Sequence, residues 1–241
     1  MVFWQLGRKL QVVLLLSGLL VACGQPDEEL LAQARTLLGQ KKYAEVVALL
    51  EPRKLDLAGA DLWNMLGVAY LETTKPAEAL ASFNAAIKQD NQNYKYYYNR
   101  GNAYLALKQP DEALKDYDQA LALDQSVYDL YLNRAAVLAS MNRHQEALPD
   151  YDRAEKLNQS DRSLFFNRGQ TYFAIKEFAK AAGDFRQAVA LSPDYARAHL
   201  ALGLAELQLG NGTTAACAHL QRAQELGSAE AAAALAQHCG R

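Results

Sequence analysis

Cysteine, proline and charge of one sign are all scarce in this chain. Three cysteines in 241 residues are too few for a disulfide framework. Six prolines, beside abundant Ala, Leu and Tyr, point away from turn-rich architecture and toward helix. The formal charge is −2. Both cations of the first 22 residues, Arg8 and Lys9, stand without an acid, leaving 23 basic against 27 acidic residues in the remainder. So mild an acidity offers no electrostatic footprint for nucleic acid, and no nucleic-acid partner is expected. There is no Gly-rich phosphate loop, no nucleophile elbow and no helical His-Glu-x-x-His. The carboxylates fall at solvent positions of helices, so neither an enzyme nor a cofactor is expected. Long apolar runs are equally rare: the one of note, Leu10 to Ala22, is broken by Ser17-Gly18 and follows the two cations. It is too short and wrongly flanked for a spanning helix and has the profile of a secretory signal.

The end of that run, LVAC, resembles the bacterial lipobox: Leu20, Val21 and the small Ala22 lead to Cys23. The resemblance implies a signal peptide over 1–22, a thioether-linked diacylglyceryl group on Cys23, and a lipidated tether over 23–26. Acyl chains at ~0.8 kcal/mol per buried methylene then anchor the chain to a membrane. The alternative is an ordinary signal peptide that contains a cysteine. Gly24, rather than Asp, after that cysteine resembles the enteric sorting pattern for the outer membrane, where the periplasmic face is the favoured expectation. Asp27-Glu28-Glu29 resembles the surface-export signal of some Bacteroidota lipoproteins, so the cell surface stays open.

What the chain has in quantity is a period. YYNRGNAYLAL begins at Tyr97, YLNRAAVLASM 34 residues later at Tyr131, and FFNRGQTYFAI 34 later again at Phe165. With Ala60, Tyr94, Tyr128, Arg162 and Ala196 as position one, position eight is Gly67, Gly101, Ala135, Gly169 and Gly203. Position twenty is Ala79, Ala113, Ala147 and Ala181; twenty-four is Phe83, Tyr117, Tyr151 and Phe185; twenty-seven is Ala86, Ala120, Ala154 and Ala188. Position four holds Trp63, Tyr97, Tyr131, Phe165 and His199. This layout predicts a helical hairpin per period, with small residues where two backbones approach and large ones filling the space beside them. Pro76 and Pro110, at position seventeen, suit a first helical residue. Pro149 falls inside a second helix, where a local kink is expected.

The pattern resembles the tetratricopeptide repeat family, strongly over 60–93, 94–127, 128–161 and 162–195. Degenerate repeats fit 27–59, with Ala34 in the small position, and 196–227, with one residue inserted near Gly212. Residues 228–241 read as a capping helix opened by Ser228. The implied fold is an all-α, right-handed α-α superhelix, a solenoid of about six hairpins plus that cap.

Position seven carries Arg100, Arg134 and Arg168, and position twenty-three carries Asp116, Asp150 and Asp184 in the same repeats. Where position seven is Leu66, position twenty-three is Ser82. Their joint occurrence predicts a partly buried ion pair between the two helices of each central repeat. In the family, positions two, five, six, nine and twelve of the first helices line the concave face. That places Asn99, Asn133 and Asn167 in a row whose amides could hold the backbone of an extended peptide. Tyr98, Leu132 and Phe166 at position five, Asn102 and Gln170 at nine, and Phe173 at twelve complete the candidate peptide-binding surface. The alternatives are that the amides bond their own solenoid and that some of the rings pack against neighbouring helices. Lys95 and Arg197 stand too far apart for a carboxylate clamp.

Cys217 and Cys239 lie ten and twelve residues from a turn at Gly227, so antiparallel helices would bring them level, and a disulfide is expected in an oxidising envelope. Two thiols are the alternative. His219 and His238 lie beside them, but spacings of two and one do not converge on a metal. These readings lead to an envelope scaffold holding a partner protein or extended peptide in its groove. A self-assembling homo-oligomeric lipoprotein is the second possibility.

Overall fold

A computed structural model describes residues 27–210 and 213–240. The leader, the lipobox with Cys23 and the insertion placed near Gly212 lie outside the described residues. Among the described residues there are thirteen α-helices, one short 3-10 turn and no strand. None of these helices is long and apolar enough to cross a membrane.

The chain divides into two compact units, residues 1–109 and 110–241. The first holds α1 (Asp27–Gly39), α2 (Tyr43–Leu50), α3 (Ala60–Glu72), α4 (Pro76–Gln89) and α5 (Tyr94–Ala106). The second holds α6 (Pro110–Leu123), α7 (Tyr128–Ser140), α8 (His144–Leu157), α9 (Arg162–Ala174), α10 (Phe178–Leu191), α11 (Ala196–Leu209), α12 (Thr213–Glu225) and α13 (Ala229–His238). Pro76 and Pro110 open their helices, where the missing N–H has no intrahelical acceptor to lose. Asn93, Asp161 and Ser228 cap α5, α9 and α13 through the backbone N–H groups of Lys95, Ser163 and Ala231. Pro149 lies inside α8, which continues to Leu157.

Five hairpin turns among the described residues are built the same way. Lys41, Thr74, Lys108, Asn142 and Lys176 take left-handed backbone angles, with φ from 58° to 64°, and Gly210 takes 67° at the same position of the last repeat. The residue that follows donates its N–H back into the first helix: Lys75 to Tyr70 O at 2.8 Å, Arg143 to Leu138 O at 2.9 Å and Glu177 to Tyr172 O at 2.9 Å. These bonds satisfy carbonyls that the helix end would leave unpaired. A side chain in this conformation costs about 1–2 kcal/mol against glycine, which the closed turn and the packing beyond it must offset.

The hairpins close on small residues. A methyl at Gly67 would sit 2.5 Å from the Phe83 ring, and one at Gly169 2.7 Å from the Phe185 ring. The second helix therefore lies so near that a ring covers bare backbone. Phe83, Tyr117, Tyr151 and Phe185 are almost wholly buried, as are Ala79, Ala113, Ala147 and Ala181. Each such ring contributes roughly 1.5–3 kcal/mol by leaving water.

Polar ties fasten the packed helices. Arg134 donates from Nε and Nη2 to the two carboxylate oxygens of Asp150, at 2.7 and 2.6 Å, and from Nη1 to Asp118 at 2.6 Å. Arg168 repeats this with Asp184 at 2.8 and 2.9 Å, and adds Asp152 at 2.9 Å and Glu155 at 2.6 Å through Nη1. Each guanidinium thus ties its own helix both to the next and to the preceding one. In the first unit Arg100 donates to Asn84 at 2.7 Å; its expected partner, Asp116, belongs to the second. Asn84, Asp118 and Asp152 share position twenty-five of their repeats. In the last repeat Leu202 replaces the arginine and the charges change sides: Arg186 at position twenty-five donates to Glu206 at 3.1 Å. Donating its hydrogen bonds to Asp150 raises the Arg134 guanidinium above its ordinary pKa, while burial pushes the Asp184 carboxyl up against the pull of Arg168. Cys217 and Cys239 form a disulfide with Cα atoms 5.8 Å apart, holding the end of α13 to α12.

Asp150→Ala leaves Arg134 half-buried without its bidentate partner and is expected to cost on the order of 3 kcal/mol. Ser82→Ala, at the equivalent position, removes only a hydroxyl bonded to the Glu78 carbonyl within its own helix. Thermal melts should show the larger fall for Asp150→Ala, and equal melting temperatures would refute the tie.

Candidate functional site

Each unit carries candidate residues on its own first helices. On α5, Tyr98, Asn99 and Asn102 are half-buried. The Asn99 amide donates to Asn64 Oδ1 at 2.8 Å, one repeat back on α3. Its amide therefore bonds the protein's own stack, the second of the two roles open to it. Nearby, Tyr96 donates to Asp61 Oδ1 at 2.8 Å, a further bond from α5 to α3. Tyr98 and Asn102 also have partners of their own.

In the second unit Leu132 and Asn133 are half-buried on α7, and Asn133 too has a partner. Phe166 requires a correction. It is only 4% exposed, its ring 5.0 Å from Tyr195 and 5.8 Å from Phe185, with the Arg197 guanidinium over it at 4.9 Å. Packing rather than ligand contact accounts for this ring, because Tyr195 just before α11 closes over it. Phe173 is half-buried and meets Phe178 edge-on at 5.2 Å.

Asn167 and Gln170 behave differently from Asn99. Both border a cavity of about 280 Å³ between α7 and α9. Gln170 is exposed, Asn167 half-buried, and the Asn167 amide has no hydrogen-bond partner among the described residues. Across from them, α7 contributes only Ala136, Ala139 and Ser140. The floor comes from Tyr151 on α8, and His144 at the start of that helix completes the wall. Burial pushes the Tyr151 phenol up to about 12, so it stays protonated. The sequence reading missed Ala136, Ala139, His144 and Tyr151 as site residues. A signal existed: small residues at positions nine and twelve in one repeat only.

Among the described residues no three His, Cys, Asp or Glu side chains are grouped to hold a metal. His219 pairs instead with His199, Nδ1 to Nδ1 at 3.2 Å, while His199 Nε2 lies 3.1 Å from the Pro193 carbonyl. A carbonyl only accepts, so the His199 hydrogen sits on Nε2, and in the neutral pair His219 donates from Nδ1. Burial lowers the His219 pKa below its ordinary value of 6.5, as do His199 and Arg186, against the pull of Glu206. A group harder to protonate when folded lets the unfolded chain bind more protons as pH falls, so stability is complete above about pH 6.5 and declines below it. The melting temperature should fall between pH 7.5 and 5.5, and His219→Gln should flatten that slope; parallel slopes contradict the assignment.

Comparison with known proteins agrees with this geometry. Tetratricopeptide repeat models match residues 60–93, 94–127, 128–161 and 166–237. No curated protein matches the chain by sequence. Among solved structures, the C-terminal part of a TPR repeat-containing protein from Cytophaga hutchinsonii superposes with a TM-score of 0.71 at 19% identity, covering 81% of this chain and 78% of that one. YrrB, described as a TPR protein with an unusual peptide-binding site, gives 0.67 at 21% identity over 78% of this chain and 96% of its own. MamA from Desulfovibrio magneticus RS-1 gives 0.65 at 23% identity over 69% and 94%. At these identities the likeness establishes the fold alone. With matched repeats over most of its described length and hairpins closed by small residues under rings, the chain belongs to the tetratricopeptide repeat family.

Proposed function

We propose that this protein is a lipid-anchored scaffold of the bacterial cell envelope that holds a partner protein or extended peptide in the groove of its first helices. The observation that carries the reading is the open cavity between α7 and α9, bordered by the Asn167 and Gln170 amides and by no carboxylate, lysine or arginine. Primary amides both donate and accept, so they can pair with a peptide backbone without regard to its side chains. Binding through repeat surfaces suits the family, whose stacked hairpins present extended faces. YrrB, a structural relative, is described by its peptide-binding site. The lipobox ending in Cys23 supports the anchor, and Gly24 supports the outer membrane, on its periplasmic face in preference to the cell surface.

A photocrosslinking residue at Gln170, which is exposed on this face, should capture a partner in cells, whereas one at Lys156, exposed on the second helix α8, should not. Capture of another copy of the chain from Gln170, with concentration-dependent sedimentation, would replace the adaptor reading by self-assembly. Equal or no capture from both positions removes the groove as the site. The anchor is tested separately: Cys23→Ala should move the protein from the membrane to the soluble fraction, and unchanged membrane retention argues against lipidation.

A further inference from the structure

The cavity between α7 and α9 exists because one repeat departs from the others. Position nine is Val68, Asn102, Gln170 and Leu204 elsewhere, and position twelve is Leu71, Leu105, Phe173 and Leu207. In the repeat at 128–161 they are Ala136 and Ala139. The missing side chains leave about 280 Å³, the volume of roughly nine waters at ~30 Å³ each. That is ample for one six-membered ring.

The geometry points to a subsite for a single tyrosine side chain of the bound segment, an assignment that rests on the groove reading above. Two alanine methyls and the Tyr151 ring make walls that favour an apolar body. No carboxylate, lysine or arginine lines the cavity, so a charged side chain would lose hydration there without a counterion. A purely aliphatic side chain would leave the polar part of the wall unserved. Asn167 and Gln170 bring amides to that wall, and Ser140 and Thr171 bring hydroxyls. A phenol hydroxyl donates and accepts at the tip of an aromatic ring, which suits both kinds of wall.

The test is a titration of the full chain in detergent with N-acetyl-tyrosine methylamide, followed by saturation-transfer NMR, with the phenylalanine and leucine analogues alongside. The tyrosine probe should bind most tightly, two- to tenfold better than phenylalanine, as one neutral hydrogen bond allows. Ala139→Leu restores the residue that Leu71, Leu105 and Leu207 supply at this position, so it is compatible with the repeat, and it should abolish binding. Asn167→Ala leaves the space but should bring tyrosine down to the phenylalanine level. Because every variant shares the same micelle, partition into detergent cancels. Absent binding, binding indifferent to Ala139→Leu, or a preference for leucine overturns the subsite. Those results would leave the groove reading intact if the Gln170 crosslink still captures a partner, whereas loss of that capture strikes the groove itself.

Discussion

A ring resting on a glycine sets the geometry of this molecule. Where Phe83 covers Gly67 and Phe185 covers Gly169, there is no room for even a methyl. Two helices brought that close bury the alanines at positions twenty and twenty-seven together with the rings. A single hairpin cannot hide both of its faces, so the next must be laid against it; this is why stability in such proteins comes from neighbours. The repeated period is therefore a packing requirement carried along the chain.

The ion networks answer a different need. Apolar packing holds two helices at a distance but is tolerant of sliding, while a bidentate guanidinium accepts one geometry. Arg134 and Arg168 each reach helices on both sides, and Arg168 is almost removed from water. The last repeat keeps a polar tie with the charges exchanged, Arg186 to Glu206. What matters at that seam is a complementary pair across it, whichever side bears the cation. The disulfide does for the short α13 what packing does for the longer helices, holding a ten-residue Ala-rich helix that has little surface to bury.

The face proposed to bind differs from the interior by being under-committed. Asn99 is consumed by Asn64 and Phe166 by Tyr195, whereas Asn167 and Gln170 border open space. Asn99 and Asn167, alike in type and position, thus have unlike roles. Their neighbours decide: Asn64 stands one repeat before Asn99, and Ala136 stands opposite Gln170.

Much of the fold could be read directly from spacing, because a helical hairpin needs small and large residues at set intervals and few other arrangements repeat every 34 residues. The pairing of Arg134 with Asp150 was legible for a related reason, since charge and countercharge appear and vanish together. The left-handed turns at Lys41, Thr74, Lys108 and Lys176 were hidden, because these residue types carry no mark of positive φ. Likewise the reach of each arginine to position twenty-five, the meeting of His199 with His219 and the closure over Phe166 join residues from different helices. Periodicity follows from local geometry and so is written in one dimension. Which side chains are spent on packing and which still face a cavity depends on the distance between separate helices, and only the assembled chain sets that distance.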